Sequence, residues 1–448
     1  MHIAVIGTGY VGLVSGACFA ELGNYVTCVD SDAAKIEMIK EGSMPIYEPG
    51  LDALVAKNVQ QGRLEFTTDL ALAVERSLVV MLAVGTPPAD DGSADMSQIE
   101  AVAREIARAI CSYKVIVTKS TVPVGAAEYI KNIIEDNKQT NCRFSVASNP
   151  EFLREGAAIN DFMRPDRIVL GCADEEAAEI LKDLYRPLYL IETPFVVTTP
   201  ESAEMIKYAS NAFLATKISF INEIANLCDM LGADVHDVVK GMGMDKRIGS
   251  KFLHPGPGFG GSCFPKDVKA LAALGRRAGY EMKITGAVLE VNHQQTASVI
   301  NRIRRVVPDL QGRTIALLGL SFKPETDDMR EAPSLRIISD LLSAGARVRV
   351  YDPVAMEAAS RLVPNVEYCE DEYDAAAGSD ALVVVTEWNQ FRSLDLAKIS
   401  SVMREKNIVD LRNIYEPEAV REAGFGYVAM GRASEKQIDS RQMLANKI

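Results

Sequence analysis

The spacing of apolar residues divides the chain into three regions. In the first 200 residues, short β-branched runs alternate with amphipathic stretches of helical length. This alternation is typical of a parallel sheet with helices on both faces, so we expect one doubly wound α/β domain over residues 1–200. Its predicted strands are 2–7, 25–30, 78–84, 114–118, 144–147 and 167–171.

The pattern changes after Pro200. Residues 201–231 contain no proline or glycine and carry apolar residues at helical spacing, which predicts one long helix. More helix is expected after a glycine-rich loop, from residue 267 to about 307. Residues 201–307 are therefore a predicted central region, whose long helix is of the kind that joins two domains and often forms a dimer interface.

The α/β alternation returns near residue 312 and predicts a second domain over residues 308–448. The fold class we expect is α/β, with two Rossmann-like doubly wound domains joined by a long central helix and a helical dimerisation region. The last dozen residues are polar enough to fray. The predicted strands of the second domain are 314–319, 347–352, 381–386, 407–411 and 427–430.

The charge balance and the lengths of the apolar runs exclude several classes of partner. There are 48 Lys and Arg residues against 61 Asp and Glu, a net charge of -13, which disfavours nucleic acid and anionic membrane as partners. No apolar run approaches the ~20 residues that span a bilayer. The first residues enter a strand at once, without the basic start and cleavage site of a signal peptide. We therefore expect a cytoplasmic protein.

The cysteines are scattered, without a CxxC pair or a neighbouring histidine cluster, so we expect neither a metal site nor a disulfide framework. Most lie in apolar or mixed patterns, where a buried thiol behaves as a small hydrophobic residue. Only Cys263 has unusual neighbours. The eight are Cys18, Cys28, Cys111, Cys142, Cys172, Cys228, Cys263 and Cys369.

A dinucleotide-binding fingerprint directly follows the first predicted strand and opens a helix. Its glycines let the backbone approach a pyrophosphate, whose charge the helix N-terminus holds. Asp30 ends the second strand, where it would bind a ribose diol and repel a 2'-phosphate, so NAD is favoured over NADP. Lys35 could reach the adenosine end or be a solvated lysine, and Thr86 ends a strand at the ligand-binding edge. The fingerprint residues are Gly7, Thr8, Gly9, Tyr10, Val11 and Gly12.

The loop that contains Cys263 is the most informative stretch. Three glycines precede the cysteine, and Pro265 is well placed to start a helix directly after it. A helix N-terminus with Lys266 nearby favours the thiolate form of Cys263. Asp267, one helical turn further on, could activate water or orient a catalytic group.

Lys207 and Asn211 are four residues apart on the predicted long helix, so they share a face. A lysine there suits the stabilisation of an oxyanion, and the amide can hold water or a hydroxyl. Without the Cys263 loop, a solvated helix face would be the simpler interpretation of this pair.

Together these motifs resemble the UDP-glucose/GDP-mannose dehydrogenase family over essentially the whole chain. The resemblance implies a four-electron oxidation of a sugar CH2OH to a carboxylate, with two NAD used in succession and with a thiohemiacetal and then a thioester on Cys263. Besides the features above, the resemblance rests on 120–123, 149–156, 319–323 and Arg330.

The resemblance also implies roles for individual residues. The catalytic set is Cys263, Lys207, Asp267, Asn211, Thr121 and Glu151. The cofactor set is Gly7, Gly9, Tyr10, Val11, Gly12, Asp30, Lys35, Thr86, Thr121, Glu155, Lys266 and Arg330. The substrate set is Glu151, Phe152, Leu153, Arg154, Glu155, Lys207, Asn211, Arg247, Phe252, Leu253, His254, Pro255, Gly256, Phe259, Gly260 and Lys323.

Arg247 matches an arginine that reaches the substrate of a partner subunit, which requires a homodimer built on the long helix. The second domain has no GxGxxG after Leu318, so the nucleotide half of the substrate is expected there. UDP-glucose is preferred over GDP-mannose because Phe264 follows the cysteine. Ser262 stands where acetamido-sugar dehydrogenases usually carry histidine, and His254 with the proline after it is a less usual form of the family's segment.

Two other functions remain open at this point. A 3-hydroxyacid dehydrogenase shares the Rossmann start and the Lys–Asn pair but transfers one hydride and needs no thiol. A nucleotide sensor that lost catalysis would lack some of the reactive residues, all of which are present. Individual residues have simpler interpretations too: Glu151 and Glu155 as surface charges, and Arg330 as the partner of an ion pair.

Overall fold

The computed structural model describes residues 1–432, and the polar end of the chain, where fraying is expected, lies outside them. The chain forms two compact units. The first comprises Met1–Ser210 and Lys269–Tyr280, and the second comprises Asn211–Val268 and the described residues from Glu281 onwards.

The first unit contains an eight-stranded sheet in the order β3-β2-β1-β4-β5-β6-β7-β8. Neighbouring strands are parallel except β6 and β7, which are antiparallel. The strands are β1 His2–Ile6, β2 Tyr25–Val29, β3 Leu64–Thr67, β4 Val79–Leu82, β5 Lys114–Thr118, β6 Phe144–Ser148, β7 Ile168–Cys172 and β8 Phe195–Thr198.

Helices cover both faces of this sheet, as the alternating pattern predicts. Along β1, Ile3 and Val5 belong to one hydrophobic core, whereas Ala4 and Ile6 belong to the other. A strand buried on both faces reads as a continuous apolar run for this reason. The helices are α1 Tyr10–Glu21, α2 Ala33–Lys40, α3 Leu51–Gln60, α4 Leu70–Arg76, α5 Ser97–Ala109, α6 Ala126–Asn137, α7 Ala158–Met163 and α8 Glu175–Leu184, followed by a 3-10 helix, Arg186–Ile191.

The central part of the chain is helical. The long helix α9, Pro200–Leu231, starts one residue before the predicted range and is followed by α10, Val235–Gly243. The helix expected over 267–307 is two helices, α11 Phe264–Arg277 and α12 Lys283–Val306. The break lies at Gly279, whose φ of 73° is the left-handed conformation that ends helices.

The second unit contains a six-stranded sheet in the order β11-β10-β9-β12-β13-β14, with all neighbours parallel. Its strands are β9 Thr314–Leu318, β10 Arg347–Tyr351, β11 Glu367–Tyr368, β12 Ala381–Val384, β13 Asn407–Asp410 and β14 Gly426–Ala429. Its remaining helices are α13 Pro333–Ser343, α14 Met356–Leu362, α15 Glu372–Ala376, α16 Asn389–Arg392, α17 Leu396–Val402 and α18 Pro417–Glu422.

The prediction of two Rossmann-like α/β folds is confirmed, but three strands were not predicted. β3, β8 and β11 each lie at an edge of their sheet. Edge strands are short and partly solvated, so they lack the apolar run that marks a central strand. No helix among the described residues is long and apolar enough to cross a membrane.

Candidate active site

The turn between β1 and α1 is tightly packed except at Gly9. A Cβ added at Gly12 would overlap the Gly7 carbonyl oxygen, and one at Gly7, whose φ is 101°, would lie 2.8 Å from the Ala83 carbonyl oxygen. A Cβ at Gly9 would meet nothing within 4 Å, and no described side chain caps α1. The open space above an uncapped helix N-terminus fits the pyrophosphate of a dinucleotide.

Asp30, just after β2, is held by donors of its own chain. Its Oδ2 accepts hydrogen bonds from the Thr8 backbone N–H at 2.9 Å and from the Thr8 hydroxyl at 2.7 Å. Lys35 Nζ lies 3.0 Å from the same oxygen, so this lysine is in an ion pair. Burial alone would raise the pKa of Asp30, but these donors lower it to about 2. Asp30 is therefore an ionised carboxylate at neutral pH.

Glu48 is a buried carboxylate that the sequence did not single out. It accepts hydrogen bonds from the Tyr10 hydroxyl, from the Gly156 N–H at 2.6 Å and from the Ala158 N–H at 2.8 Å. Tyr10 belongs to the predicted cofactor set, and Gly156 directly follows Glu155 of the same set. Glu48 thus ties the dinucleotide turn to the segment that follows β6.

The ends of β4 and β5 meet through hydrogen bonds near Thr121. The hydroxyl of Thr86, which is buried, donates to the Thr121 carbonyl oxygen at 2.8 Å, and the Ser120 hydroxyl donates to the Val84 carbonyl oxygen at 2.6 Å. Both predicted threonines therefore lie at the carboxyl edge of the sheet, where ligands of doubly wound folds bind.

Glu151 and Lys207 form a buried ion pair. Lys207 Nζ lies 2.8 Å from Glu151 Oε1 and also donates to the Glu151 carbonyl oxygen at 2.7 Å. The second carboxylate oxygen accepts the Leu153 N–H at 2.6 Å. Burial alone would raise the pKa of Glu151, but Lys207 and the Leu153 N–H lower it below its ordinary value. Glu151 and Glu155 are 6% and 8% exposed, so neither is a surface charge.

The residues that follow Glu151 have defined neighbours in the first unit. The centre of the Phe152 ring lies 3.5 Å from the Arg167 guanidinium carbon and 5.4 Å from Lys207 Nζ. Arg154 pairs with Asp161 through two nitrogens, at 2.9 and 2.6 Å, on the surface of this unit. The predicted substrate contact of Arg154 would have to compete with this ion pair.

Glu204, on α9 one turn before Lys207, was not predicted either. Its carboxylate accepts the Gly125 N–H at 2.7 Å and the Ala127 N–H at 3.0 Å, both at the start of α6. It also accepts the Ser148 hydroxyl at 2.9 Å. Glu204 is 3% exposed, so it anchors α9 to the segment that follows Thr121.

In the second unit, Cys263 directly precedes α11, as predicted. The Asp267 N–H donates to the Cys263 carbonyl oxygen at 2.8 Å, which closes the first turn of the helix. A Cβ at Gly260 would overlap the Glu331 carbonyl oxygen, and one at Gly261 would lie 2.7 Å from the Phe322 ring. The glycines therefore allow the Cys263 loop to pack closely on the segment that follows β9.

The carboxylate of Asp267 is fully buried and both its oxygens are engaged. Asn211 Nδ2 donates to Oδ2 at 2.6 Å, and Lys266 Nζ lies 2.7 Å from Oδ1. The second unit thus brings together three predicted residues, Asn211, Lys266 and Asp267, beside the backbone of Cys263. Lys207 lies one turn before Asn211 on the same helix.

The predicted substrate segment 252–256 is held by side chains that the sequence did not indicate. Asn222 Oδ1 accepts the Gly256 N–H at 2.8 Å, and Gln295 donates to the Gly256 carbonyl oxygen at 2.8 Å. Asn292 binds both backbone groups of Phe259, at 2.7 and 3.0 Å. Within the segment, Leu253 and Pro255 are buried, whereas His254 is exposed.

Three further residues of the predicted sets, Arg330, Lys323 and Arg247, belong to the second unit. Arg330 Nε lies 2.8 Å from Asp328 Oδ1, so this arginine is in an ion pair. Lys323 Nζ lies 5.7 Å from the centre of the Phe322 ring. The side chain of Arg247 is 89% exposed and pairs with that of Asp245 at 2.6 Å.

The sequence matches three domain models of one family, the UDP-glucose/GDP-mannose dehydrogenases. They are the NAD binding domain at 1–189, the central domain at 201–294 and the UDP binding domain at 316–417. The UDP-glucose 6-dehydrogenase of Rhizobium meliloti (strain 1021) is 51% identical over 436 residues, which cover 96% of this chain and 100% of that protein.

Two solved structures of UDP-sugar dehydrogenases are similar in fold to this chain. A UDP-glucose dehydrogenase from the hyperthermophilic archaeon Pyrobaculum islandicum has a TM-score of 0.89 and 41% identity, covering 96% of this chain and 98% of that one. A UDP-D-ManNAc dehydrogenase from Pyrococcus horikoshii has a TM-score of 0.84 and 28% identity, with 96% and 99% coverage.

Proposed function

The chain belongs to the UDP-glucose/GDP-mannose dehydrogenase family, and we propose that it is an NAD-dependent UDP-glucose 6-dehydrogenase. The reaction is UDP-glucose + 2 NAD⁺ + H2O → UDP-glucuronate + 2 NADH + 3 H⁺. The observation that carries the proposal is the 51% identity over 96% of the chain to an enzyme of that name, with every reactive residue of the family pattern present.

The choice of sugar rests on similarity and on one sequence position. The relatives named for UDP-glucose are 51% and 41% identical to this chain, whereas the relative named for UDP-D-ManNAc is 28% identical. Phe264 after the cysteine agrees with the same choice. Another nucleotide sugar, such as GDP-mannose, is the alternative substrate.

NAD⁺, when bound, supplies the hydride acceptor for both oxidations. The residues that would hold it in the first unit are the open turn at Gly9, the ionised Asp30, and the sheet edge at Thr86 and Thr121. The Asp30 carboxylate suits a ribose diol and repels a 2'-phosphate, which supports NAD over NADP. The proposed cofactor set is completed by Lys35, Glu155, Lys266 and Arg330.

We assign the first oxidation to the Glu151–Lys207 pair. Lys207 stabilises negative charge on the C6 oxygen as the alcohol becomes an aldehyde. Its ion pair with Glu151, both side chains being buried, keeps the ammonium in one position. We assign the removal of the proton from the C6 hydroxyl to the carboxylate of Glu151 and the hydroxyl of Thr121.

Cys263 retains the aldehyde. Its sulfur adds to C6, and the carbonyl oxygen takes up a proton to give a thiohemiacetal; the second oxidation converts this into a thioester. Water then attacks C6 and the carbon–sulfur bond breaks, which releases the carboxylate and regenerates the thiol. Asp267, held by Asn211 and Lys266, is the proposed group that orients or activates this water.

We further propose a homodimer built on α9. Four of its large apolar side chains are 46–73% exposed and recur at helical spacing: Phe213, Phe220, Leu227 and Met230. An exposed apolar stripe of this kind is a typical protein–protein interface. Arg247, exposed and paired with Asp245, is the residue proposed to reach the partner's substrate.

The proposed setting is the cytoplasm, with UDP-glucuronate as a precursor for polysaccharide synthesis. The eight cysteines, all within residues 1–432, form no disulfide bonds with one another, which agrees with a reducing compartment. We also propose the three sequence regions, 1–200, 201–307 and 308–448, as the NAD-binding, central and nucleotide-sugar-binding domains.

The test is to incubate the protein with NAD and a panel of nucleotide sugars and to count NADH per sugar consumed. A ratio of about two with UDP-glucose is expected from the four-electron chemistry. A Cys263→Ala variant should lose acid formation but still bind NAD. A ratio near one would favour a simple alcohol dehydrogenase, and unaltered turnover by the variant would remove the thioester from the mechanism.

A further inference from the structure

Lys119 is a buried lysine directly after β5 that has no place in the proposed mechanism. It is 4% exposed, and its charge interacts with those of Glu151 and Lys207. Nζ donates to Asn149 Oδ1 at 3.0 Å and to the Tyr185 hydroxyl at 3.1 Å. A fully buried ammonium is costly unless it is held by hydrogen bonds and by an opposite charge, so this arrangement needs a reason.

Asn149, the main partner of Lys119, fixes the backbone that leads to Glu151. Its N–H donates to the Thr118 carbonyl oxygen at 2.9 Å, and its side-chain amide donates to the Val169 carbonyl oxygen at 2.9 Å. Asn149 is therefore tied to β5, to β7 and to Lys119. Only Pro150 separates Asn149 from Glu151. The hydrogen bonds of Asn149 therefore fix the backbone position from which the Glu151 side chain extends.

The charges point to a second role. The Glu151–Lys207 pair is neutral as a whole, and a paired carboxylate weakens the field that a lysine exerts on a nearby oxyanion. Lys119 adds a second positive charge, so the three buried groups together carry a net charge of +1. A net positive, water-excluded environment favours a transition state in which negative charge develops on oxygen.

We propose that Lys119 is a positioning residue: it holds the Asn149–Glu151 backbone and offsets the Glu151 carboxylate, so that the charge of Lys207 acts on the substrate oxygen. This inference rests on the proposed oxidation of a sugar alcohol by the same unit.

A pH dependence follows from the surroundings of Lys119. Burial lowers the pKa of Lys119 to about 8. The positive charge of Lys207 acts in the same direction, whereas the negative charge of Glu151 opposes the shift. Tyr185 also faces the ammonium, but burial raises the pKa of its hydroxyl, so it stays neutral in this range. Above pH 8 Lys119 loses its charge, and kcat is expected to fall with it.

The variant that tests this is Lys119→Met, which keeps the volume and removes the charge. We expect kcat with UDP-glucose to fall at least about tenfold, KM to change less than about threefold, and the decline near pH 8 to disappear. If Lys119→Met does not fold, Lys119→Gln replaces it. Wild-type kcat with an unchanged pH profile would overturn the proposal.

Lys114→Met is the matched control, because Lys114 begins the same strand and is 2% exposed. Its Nζ donates to the carbonyl oxygens of Glu75 at 2.9 Å and Ser77 at 2.6 Å, at the opposite end of β5 from Lys119. We expect its kcat to stay within about twofold of wild type. Equal losses in the two variants would mean that a buried lysine only supports the fold, and would overturn the proposal.

A second measurement does not depend on the substrate. The titration of Glu151 can be followed by ¹³C NMR of glutamate-labelled protein, with Glu151→Gln to assign its signal. Loss of the Lys119 charge should raise the midpoint by about one pH unit. If wild type does not oxidise UDP-glucose, the proposed function fails, while an unchanged midpoint overturns the inference about Lys119.

Discussion

The amide of Asn211 donates a 2.6 Å hydrogen bond to the fully buried carboxylate of Asp267, whose other oxygen lies 2.7 Å from Lys266 Nζ. These groups act as one unit, because each holds the next in place. Removing a member of such a network changes the geometry of the others, so the effects of separate substitutions should not add.

Asp267→Asn should lower kcat at least about a hundredfold, since it removes the proposed activator of water and leaves Lys266 without its anion. Asn211→Ala should cost about tenfold, because Lys266 still holds Asp267. The double variant should then lose little more than Asp267→Asn alone, as measured by steady-state NADH formation. Additive losses in the double-mutant cycle would show that the two side chains act independently.

Asp30 is predicted to select NAD. Asp30→Asn keeps an acceptor for the Thr8 N–H but removes the negative charge and leaves Lys35 free to attract a 2'-phosphate. We expect the ratio of kcat/KM for NADP to that for NAD to rise at least about tenfold. Asp32→Asn, at the exposed N-cap of α2, should leave the ratio unchanged. An equal rise in both variants would mean that the overall negative charge of this region, and not the Asp30 carboxylate itself, decides between NAD and NADP.

The glycines of the dinucleotide turn should respond differently to alanine. Gly9→Ala adds a methyl group into open space, so the melting temperature should stay near that of wild type while the affinity for NAD falls. Gly12→Ala places its methyl against the Gly7 carbonyl oxygen and should destabilise the first unit by about 2 kcal/mol or more. Calorimetry and NAD titration measure the two effects. Unaltered NAD affinity of Gly9→Ala would argue against a pyrophosphate at this position.

The burial of Glu204 predicts that the free energy of unfolding depends on pH. Burial raises its pKa, although backbone N–H groups at the start of α6 and the Ser148 hydroxyl oppose the shift. A raised pKa in the folded state means that stability is fully present below the unfolded pKa of about 4.3 and is lost as pH rises through the folded pKa.

The free energy of unfolding of wild type relative to Glu204→Gln should therefore decrease as the pH rises from about 4 to 8. Urea unfolding at several pH values measures this difference. Glu223→Gln, an exposed position further along the same helix, should show no such trend. A difference that increases with pH would contradict the prediction.

The local features of the protein can be predicted from the sequence. The dinucleotide turn, the start of α11 at the Cys263 loop and the long helix α9 are built from residues that are neighbours in the chain, so spacing alone indicates them. The central strands are also recognisable, because burial on both faces requires continuous apolar runs. The edge strands β3, β8 and β11 are not, since their burial depends on one neighbouring strand.

Only the tertiary structure shows which groups hold these features in place. Glu48 binds Gly156, which is 108 residues away, and Asn222 binds Gly256, 34 residues away. The partner of Lys119, Tyr185, is 66 residues away, and that of Glu151, Lys207, is 56. The sequence around a polar residue in a strand or helix does not indicate that the residue will take such a role. Its partner and its burial, and hence its ionisation, are set by packing between elements distant in sequence.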